Sequence, residues 1–533
     1  MPYTVCIPTA GTGSRLGTAT KYLNKSLVQI NNKPIISHII ENFDETASFV
    51  IAVGHKGKDV KDYLDFAHPT LDIKTVDIDP FEGPGSSLGK TLSLTESYLQ
   101  EPFIFCSCDT ITNEFPFNLD SNWLGWDLVK DNSSYRTLTI NEQNNIEAIH
   151  EKLESESQKA YIGLAGIKDY KIFWENFNNI NEKIRSKGEV SGFNLENMNF
   201  EGVKFEWFDT GNPYQLSKAR NKFKTNEVSV LPKENEKIWF TNNKVIKFST
   251  DKDFITKRVS REKLLKGYVP EVVNYSENMY VYEYIEGDVL SKKITKNIFE
   301  SLQNVLNEFW NIEELNEKEI IHFKSVCSEF YKDKTYERVN LYLDRYPEDI
   351  NEHILNSTTC LPIYELLDST NWKDLIDGLP SRFHGDLHFE NIIHNDKNNK
   401  FTFLDWRQDF GGISEYGDIY YDLAKLLHGI IVPHPSIVDG KYSITESENK
   451  KEINIFREDN IKNIESVFKD WISTKGFNLY KVELLCSLIF LNIAPLHHHP
   501  YSKFLFSLGH WGLQSIHDKG MVSWSEIEAY KMK

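Results

Sequence analysis

Apolar and polar positions follow two different periods over the first hundred residues. Short apolar runs at Thr4 to Ile7, Phe49 to Val53, Ile73 to Ile78 and Phe103 to Cys108 are separated by stretches of helical spacing at Lys33 to Phe43, Lys58 to Phe66 and Ser87 to Leu99. Strands alternating with amphipathic helices predict βαβ units and a mainly parallel sheet. Ligands of such sheets bind at the loops leaving the strand C-termini, which puts Ala10 to Arg15 and Asp109 on one rim. From Tyr135 to Phe208 the runs become shorter and alternate, predicting an antiparallel extension.

Between Lys218 and Lys237 the chain turns polar and lysine-rich, with Pro232 inside the stretch. A domain boundary is expected near residues 222 to 234, dividing the chain into 1–225 and 226–533. Short strands then follow at Ile238 to Phe240, Lys244 to Phe248 and Met279 to Tyr284, before a helix-rich stretch from Lys296 onward.

Composition narrows the partners. At 533 residues the chain exceeds what one core usually supports, and 40% hydrophobic with 26% charged residues is ordinary for globular domains. A net charge of −18 disfavours nucleic acid and anionic membranes, leaving small molecules as the expected partners. Six scattered cysteines read as thiols of a reducing compartment, and the N-terminus lacks the pattern of a signal peptide, so a cytoplasmic protein is expected. The apolar segment Leu484 to Leu496, interrupted by Ser487 and Asn492, is short for a membrane span and predicts a buried helix.

The first chemistry lies in "AGTGSRLG", residues 10 to 17. Gly11, Gly13 and Gly17 approach a dinucleotide fingerprint, but Leu16 stands where the third glycine belongs, and no acid follows about twenty residues later to bind a ribose. Glycine amides at a helix start, with Arg15 and Lys25 nearby, suit a triphosphate attacked at its α-phosphorus; the plain alternative is a tight strand-to-helix turn. Asp109 ends an apolar strand in "FIFCSCDT", and Asp209 precedes a glycine turn in "FEWFDTGNP". Two carboxylates so placed suit Mg²⁺ on a triphosphate or, taken singly, the capping of a turn.

"AGTGSRLG", "KSL", "NNKPII", "FEGPGSSLG", "SCDT", "HEK" and "WFDTGNP" occur in this order over residues 1 to about 220, and this part of the chain resembles the sugar-nucleotidyltransferases, including sugar-phosphate and phosphocholine cytidylyltransferases. The resemblance implies a Rossmann-like (GT-A type) α/β domain. It further implies that Gly11, Gly13, Ser14 and Arg15 bind NTP phosphates, that Lys25 is the principal catalytic lysine, and that Gly85 and Ser86 lie near the base. Glu151 and Lys152 would approach a phosphorylated acceptor, and Asp109 and Asp209 would bind Mg²⁺. Pro8-Thr9 and Asn24 depart from the family pattern, which usually has small apolar residues and a proline there. CTP is the favoured nucleotide.

The second chemistry lies in "RFHGDLHFENIIHNDKNNKFTFLDW". Asn391 follows Asp386 by five residues, and an apolar strand then ends at Asp405, which is the spacing of a kinase catalytic loop and its metal-binding aspartate. In that chemistry Asp386 accepts the proton of an acceptor hydroxyl, while Asn391 and Asp405 hold Mg²⁺ on ATP. Upstream, Lys247 ends a strand and Glu262 is expected at the start of a helix, the pair that positions the α- and β-phosphates. "YVYEYIEG" reads as a strand entering a hinge at Glu283 to Ile285, whose backbone would meet adenine.

With "GDIYYDLAKLL" supplying Asp418 and Asp422, residues 235 to 530 resemble the aminoglycoside phosphotransferase and choline kinase family. A bilobal, protein-kinase-like α+β domain is implied. Arg407 stands where choline-type kinases often carry an acid, which disfavours a cationic substrate. "PLHHHP" reads as a wall of the acceptor pocket or a helix end more readily than as zinc ligands. Trp372, Trp406 and Trp471 read as core more readily than as a cation cage. Together the two halves predict a kinase and a nucleotidyltransferase acting in sequence with ATP, an NTP and Mg²⁺. The alternative is an antibiotic-type small-molecule kinase with a nucleotide-sensing N-terminal domain.

Overall fold

The first apolar run forms the strand Tyr3–Pro8 at the middle of a mixed sheet. The computed structural model describes residues 3–113, 119–223 and 234–528. Tyr3–Pro8 pairs in parallel with Ala47–Val53 on one side and Phe103–Cys106 on the other, and Ala47–Val53 pairs in parallel with Ile73–Asp77. Helices Ile35–Ile40, Gly57–Ala67 and Leu88–Thr95 connect them, as the βαβ rhythm predicts. The antiparallel extension is present too: Lys159–Ile167 runs antiparallel to Phe103–Cys106, and Asn122–Leu128 and Thr137–Ile140 pair with it in turn.

Period-two alternation gives this sheet two buried faces. Val5 and Ile7 pack on one side with Val60, Tyr63 and Leu64, while Cys6 packs on the other with Leu92, Phe105 and Phe173.

The boundary expected at 222–234 falls mainly on residues 224–233, outside the described residues. The chain divides into two units, Met1–Lys252 with Val273–Tyr284, and Asp253–Val272 with Ile285–Lys533. The antiparallel strands Glu236–Thr241, Lys244–Ser249 and Met279–Glu283 therefore belong to the first unit. Trp239, Ile246, Phe248, Met279 and Val281 share one core with Tyr63, Leu64 and Phe66. The Trp239 ring meets Tyr63 edge-on at 5.1 Å. Lys244 Nζ donates to the Phe66 carbonyl (3.0 Å) and Asn242 to that of Ala67 (2.8 Å), satisfying the end of helix Gly57–Ala67.

The second unit is mainly helical. Helix Lys252–Glu262 begins ten residues before the position expected, so Glu262 ends it and a 3₁₀ turn, Lys263–Leu265, follows. Ile255 and Val259, one turn apart, supply the buried stripe that starts the helix early. The hairpin Ile392–Asn395 with Lys400–Phe403 carries the catalytic-loop motif. A small sheet inside the helix-rich stretch was not expected: His353–Leu355 pairs with Thr358–Cys360 and, in parallel, with Lys450–Ile455, which pairs with Tyr442–Ser447. Helix Leu479–Ile493, prolonged by a 3₁₀ turn to Leu496, is apolar and long enough to cross a membrane, beyond the short span the sequence suggested. Its residues from Val482 to Leu491 are buried within the unit.

Candidate active sites

The glycine-rich loop after the first strand is bent by sequence necessity. Gly13 has φ +66°, and a Cβ there would lie 2.9 Å from Lys25 Cβ, so both backbone hand and space demand glycine. Ser14–Thr20 follows as a 3₁₀ turn that exposes Arg15. Lys25 is buried, and its Nζ donates to Asp109 Oδ2 at 2.5 Å. Burial opposes both charges, yet each partner wins back its ionised form: Lys25 sits above its ordinary range and Asp109 below.

Asn24, where the family pattern has proline, is fully buried. Its amide donates to the carbonyls of Thr9 (2.9 Å) and His55 (2.6 Å), and its oxygen accepts from Ser26 N (2.9 Å). Asn24 thereby caps the turn Lys25–Leu27 and ties it to the glycine loop, fixing where Lys25 points. Thr9, the other departure, donates its hydroxyl to the Ala52 carbonyl (2.8 Å).

Asp209 reaches Asp109 through a short ladder, Trp207–Asp209 against Thr110–Thr112, which sets Asp209 opposite Thr110. Tyr135 Oη (2.8 Å) and Gly211 N (2.7 Å) donate to its carboxylate. A Cβ built on Gly211 would lie 2.9 Å from Asp209 Oδ1 and 3.1 Å from Asp109 Oδ2, so the two carboxylates flank one small space. Burial and the charge of Asp109 push the Asp209 carboxyl up. Two close carboxylates, one under like-charge stress, fit Mg²⁺, whose other ligands would come from triphosphate oxygens and water.

Gly85, at φ +87°, and Ser86 lie in the loop before helix Leu88–Thr95, with Ser86 Oγ donating to Gly83 O (2.7 Å). Gly11 has open space where a side chain would be. Glu151 is held by Arg136 Nε (3.1 Å) and Lys187 Nζ (2.8 Å), whereas Lys152 is exposed and, among the described residues, has no recorded carboxylate partner. Sequence reasoning missed Glu189, a buried acid pushed up to about 7 by desolvation, against the opposing influence of Arg136 and Tyr161. Its only sequence signal is an acid after glycine in "SKGEVSG".

In the second unit the catalytic-loop motif is built against a buried cation. Asp386, part-exposed, receives Lys425 Nζ on Oδ1 at 2.8 Å, and Lys425 and His388 hold its carboxyl well below the usual range against the opposing effect of desolvation. Asn391 donates Nδ2 to the Asp386 carbonyl (2.9 Å), leaving its side-chain oxygen as an acceptor for a cation. Asp405 follows the hairpin in a left-handed conformation (φ +56°), with Arg258 Nη1 at 3.1 Å from its carboxylate. An amide oxygen and a carboxylate on either end of one hairpin are hard donors that fit Mg²⁺.

Three buried groups shape this loop, and only one was read from sequence. Asp422 accepts from His384 N (2.8 Å) and Gly385 N (2.7 Å), with Trp310 Nε1 at 3.2 Å. Arg261, fully buried, donates to the carbonyls of Phe383 (2.6 Å), Ser414 (2.9 Å) and Arg407. Lys425 follows Asp422 by one helical turn in "DLAK", the signal that could have revealed it. Asp418 holds Leu379 N (2.9 Å) and Tyr331 Oη (2.8 Å) and so anchors the neighbouring helix.

Other expected residues are dispersed. Lys247 is buried on its strand in the first unit and Glu283 closes the paired strand, while Glu262 and Ile285 belong to the second unit. Burial pushes the Glu262 carboxyl up. Trp372, Trp406 and Trp471 are each buried: Trp372 and Trp406 donate to the carbonyls of Leu367 and Arg258, and Trp471 stacks on Trp310. His497 packs on Tyr501, and His498 O accepts Ser502 N (3.0 Å), which makes the histidine run a helix start. Among the described residues no cluster of three or more His, Cys, Asp or Glu could hold a metal.

Residues 5–114 match the family model of the MobA-like NTP transferase domain, and residues 256–442 match that of the phosphotransferase enzyme family. The chain is thus similar to one transferase family in each of its two parts. The first match spans Arg15, Lys25 and Asp109, and the second spans Asp386, Asn391 and Asp405. A curated relative, the bifunctional protein GlmU of Methanocaldococcus jannaschii, is 26% identical over 231 residues, 41% of this chain and 54% of the relative. The chain thus spans about half the length of the curated relative it matches. Similar solved structures include a glucose-1-phosphate thymidylyltransferase from Bacillus anthracis (19% identity, TM-score 0.37, 43% of this chain and 98% of that one). Another is the CTP:phosphocholine cytidylyltransferase of Streptococcus pneumoniae (17% identity, TM-score 0.35, 42% and 100%).

Proposed function

We propose that the chain is a bifunctional enzyme that first phosphorylates a small alcohol with ATP and then couples the product to a nucleotide. The acceptor oxygen forms a bond to the γ-phosphorus of ATP, the bond to ADP breaks, and the hydroxyl proton passes to Asp386. An oxygen of the new phosphate ester then attacks the α-phosphorus of an NTP, and pyrophosphate leaves. Lys25 and Arg15 stabilise the charge developing on the α-phosphate, with the glycine loop orienting the triphosphate. Mg²⁺, held by Asp109 and Asp209 in one site and by Asn391 and Asp405 in the other, would supply charge neutralisation on the phosphates.

The observation that carries this reading is the presence of both constellations in one chain, Lys25 paired with Asp109 and Asp386 paired with Lys425. Tethering raises the concentration of one site near the other's product. Sugars, polyols and amino alcohols are the acceptor classes, CTP is favoured by the sequence likeness to cytidylyltransferases, and the product is an NDP-activated donor for capsule or lipopolysaccharide biosynthesis in the cytoplasm. Offering each of the four NTPs with a panel of acceptors, with and without ATP, and following products by phosphorus NMR tests it. Pyrophosphate release that requires both ATP and an acceptor is expected. A kinase that protects against an antibiotic and never yields pyrophosphate would favour the sensing role for the first domain.

A further inference from the structure

The helix beginning Glu317–Ser328 is interrupted by a π-turn, Glu329–Asp333, before continuing as Lys334–Leu343. Such wide turns redirect side chains and recur at functional sites. Here Tyr331 turns inward to Asp418, while Phe330 packs under two cations: the Lys334 ammonium lies 4.3 Å and the Arg407 guanidinium 4.9 Å from its ring centre. The turn borders a cleft of about 440 Å³ lined by Phe330, Lys334, Arg338 and Gly411. Arg407 joins this cleft to the catalytic loop, because its backbone N donates to His384 O at 2.8 Å, two residues before Asp386.

Glu329, Asp333 and Glu337 line the cleft together with Lys334 and Arg338, but these three carboxylates are exposed whereas both cations are part-buried. No ion pair is recorded for Lys334, Arg338 or Arg407 among the described residues, and Arg338 Nε is buried without a partner. Burial, then Arg407, Arg338 and Lys425, push the Lys334 ammonium down to about 7 against the opposing pull of Glu337. An anion bound there would offset the charges of Arg407, Arg338 and Lys425 that act on Lys334.

We propose that the alcohol phosphorylated by the second unit carries an anionic group, a carboxylate or a phosphate, which the cleft holds between Lys334, Arg338 and Arg407. This rests on the kinase reading above and narrows its acceptor away from amino alcohols.

Calorimetric titration of the full chain, with a non-hydrolysable ATP analogue present, uses D-glycerate and glycerol 3-phosphate as anionic probes and glycerol and ethanolamine as neutral and cationic ones. At least one anionic probe is expected to bind about tenfold or more tighter than glycerol or ethanolamine. Whichever of the two binds identifies carboxylate or phosphate as the recognised group. Lys334→Met and Arg338→Met are each expected to weaken it about tenfold, Lys334→Arg to recover most of the loss, and affinity for the ATP analogue to stay unchanged. Equal or tighter binding of ethanolamine or glycerol, binding by neither anion, or full affinity in the double variant overturns the proposal. Phosphorus NMR of the same mixtures with ATP reads the kinase separately: anion binding without phosphoryl transfer supports the anionic cleft and sinks the kinase assignment.

Discussion

Lys25 and Asp109 illustrate how one contact can serve both stability and chemistry. Lys25 is buried and Asp109 partly so, and either charge would be costly alone, so Lys25→Ala removes the cation proposed to act on the α-phosphate and leaves a carboxylate uncompensated. Pyrophosphate release is expected to fall by about two to three orders of magnitude. Glu189 makes a different prediction. Its folded value of about 7 lies above the 4.5 of an ordinary glutamate, so its favourable contribution is complete below pH 4.5 and is lost as pH rises through 7. That loss is on the order of 3 kcal/mol. Glu189→Gln should therefore raise the Tm at pH 8 and leave it nearly unchanged at pH 4.5, whereas an equal shift at both values would contradict the assignment.

At the scale of elements, the loops are shaped by groups remote in sequence. Arg261 secures three carbonyls of the segment around the catalytic loop, so Arg261→Met should cost about 3 to 5 kcal/mol. Faster hydrogen exchange at residues 383–414 would report it, and unchanged exchange would contradict it. Gly13→Ala would place a Cβ against Lys25 in a left-handed turn, with an expected cost of about 1 to 3 kcal/mol and loss of pyrophosphate release. The loops themselves were legible because their chemistry is local: Asp386, Asn391 and Asp405 occupy fixed positions around one hairpin, and the glycine loop follows one strand. Arg261, Asn24 and the pairing of Asp209 with Asp109 act across tens to hundreds of residues, where spacing carries no signal. The sheet joining Ile354 to Lys450 was hidden for the same reason, since its strands are three to six residues long and their pairing is non-local.

For the whole molecule, the strands around Lys247 complete the core of the first unit. Trp239→Ala should destabilise that unit by about 3 to 5 kcal/mol, read as an earlier thermal transition, because it empties a fully buried site against Tyr63. The alternation of apolar runs made the parallel sheet legible, but nothing in the strands from Glu236 to Thr241 announced which core they would join. The central claim is that one chain carries two separable transferase activities. The direct measurement is a pair of assays, pyrophosphate release and ATP-dependent acceptor phosphorylation, on Lys25→Ala and Asp386→Asn. Loss of only the first activity in Lys25→Ala is predicted when phosphorylated acceptor is supplied, and loss of only the second in Asp386→Asn. Survival of pyrophosphate release in Lys25→Ala, or of phosphorylation in Asp386→Asn, would contradict it.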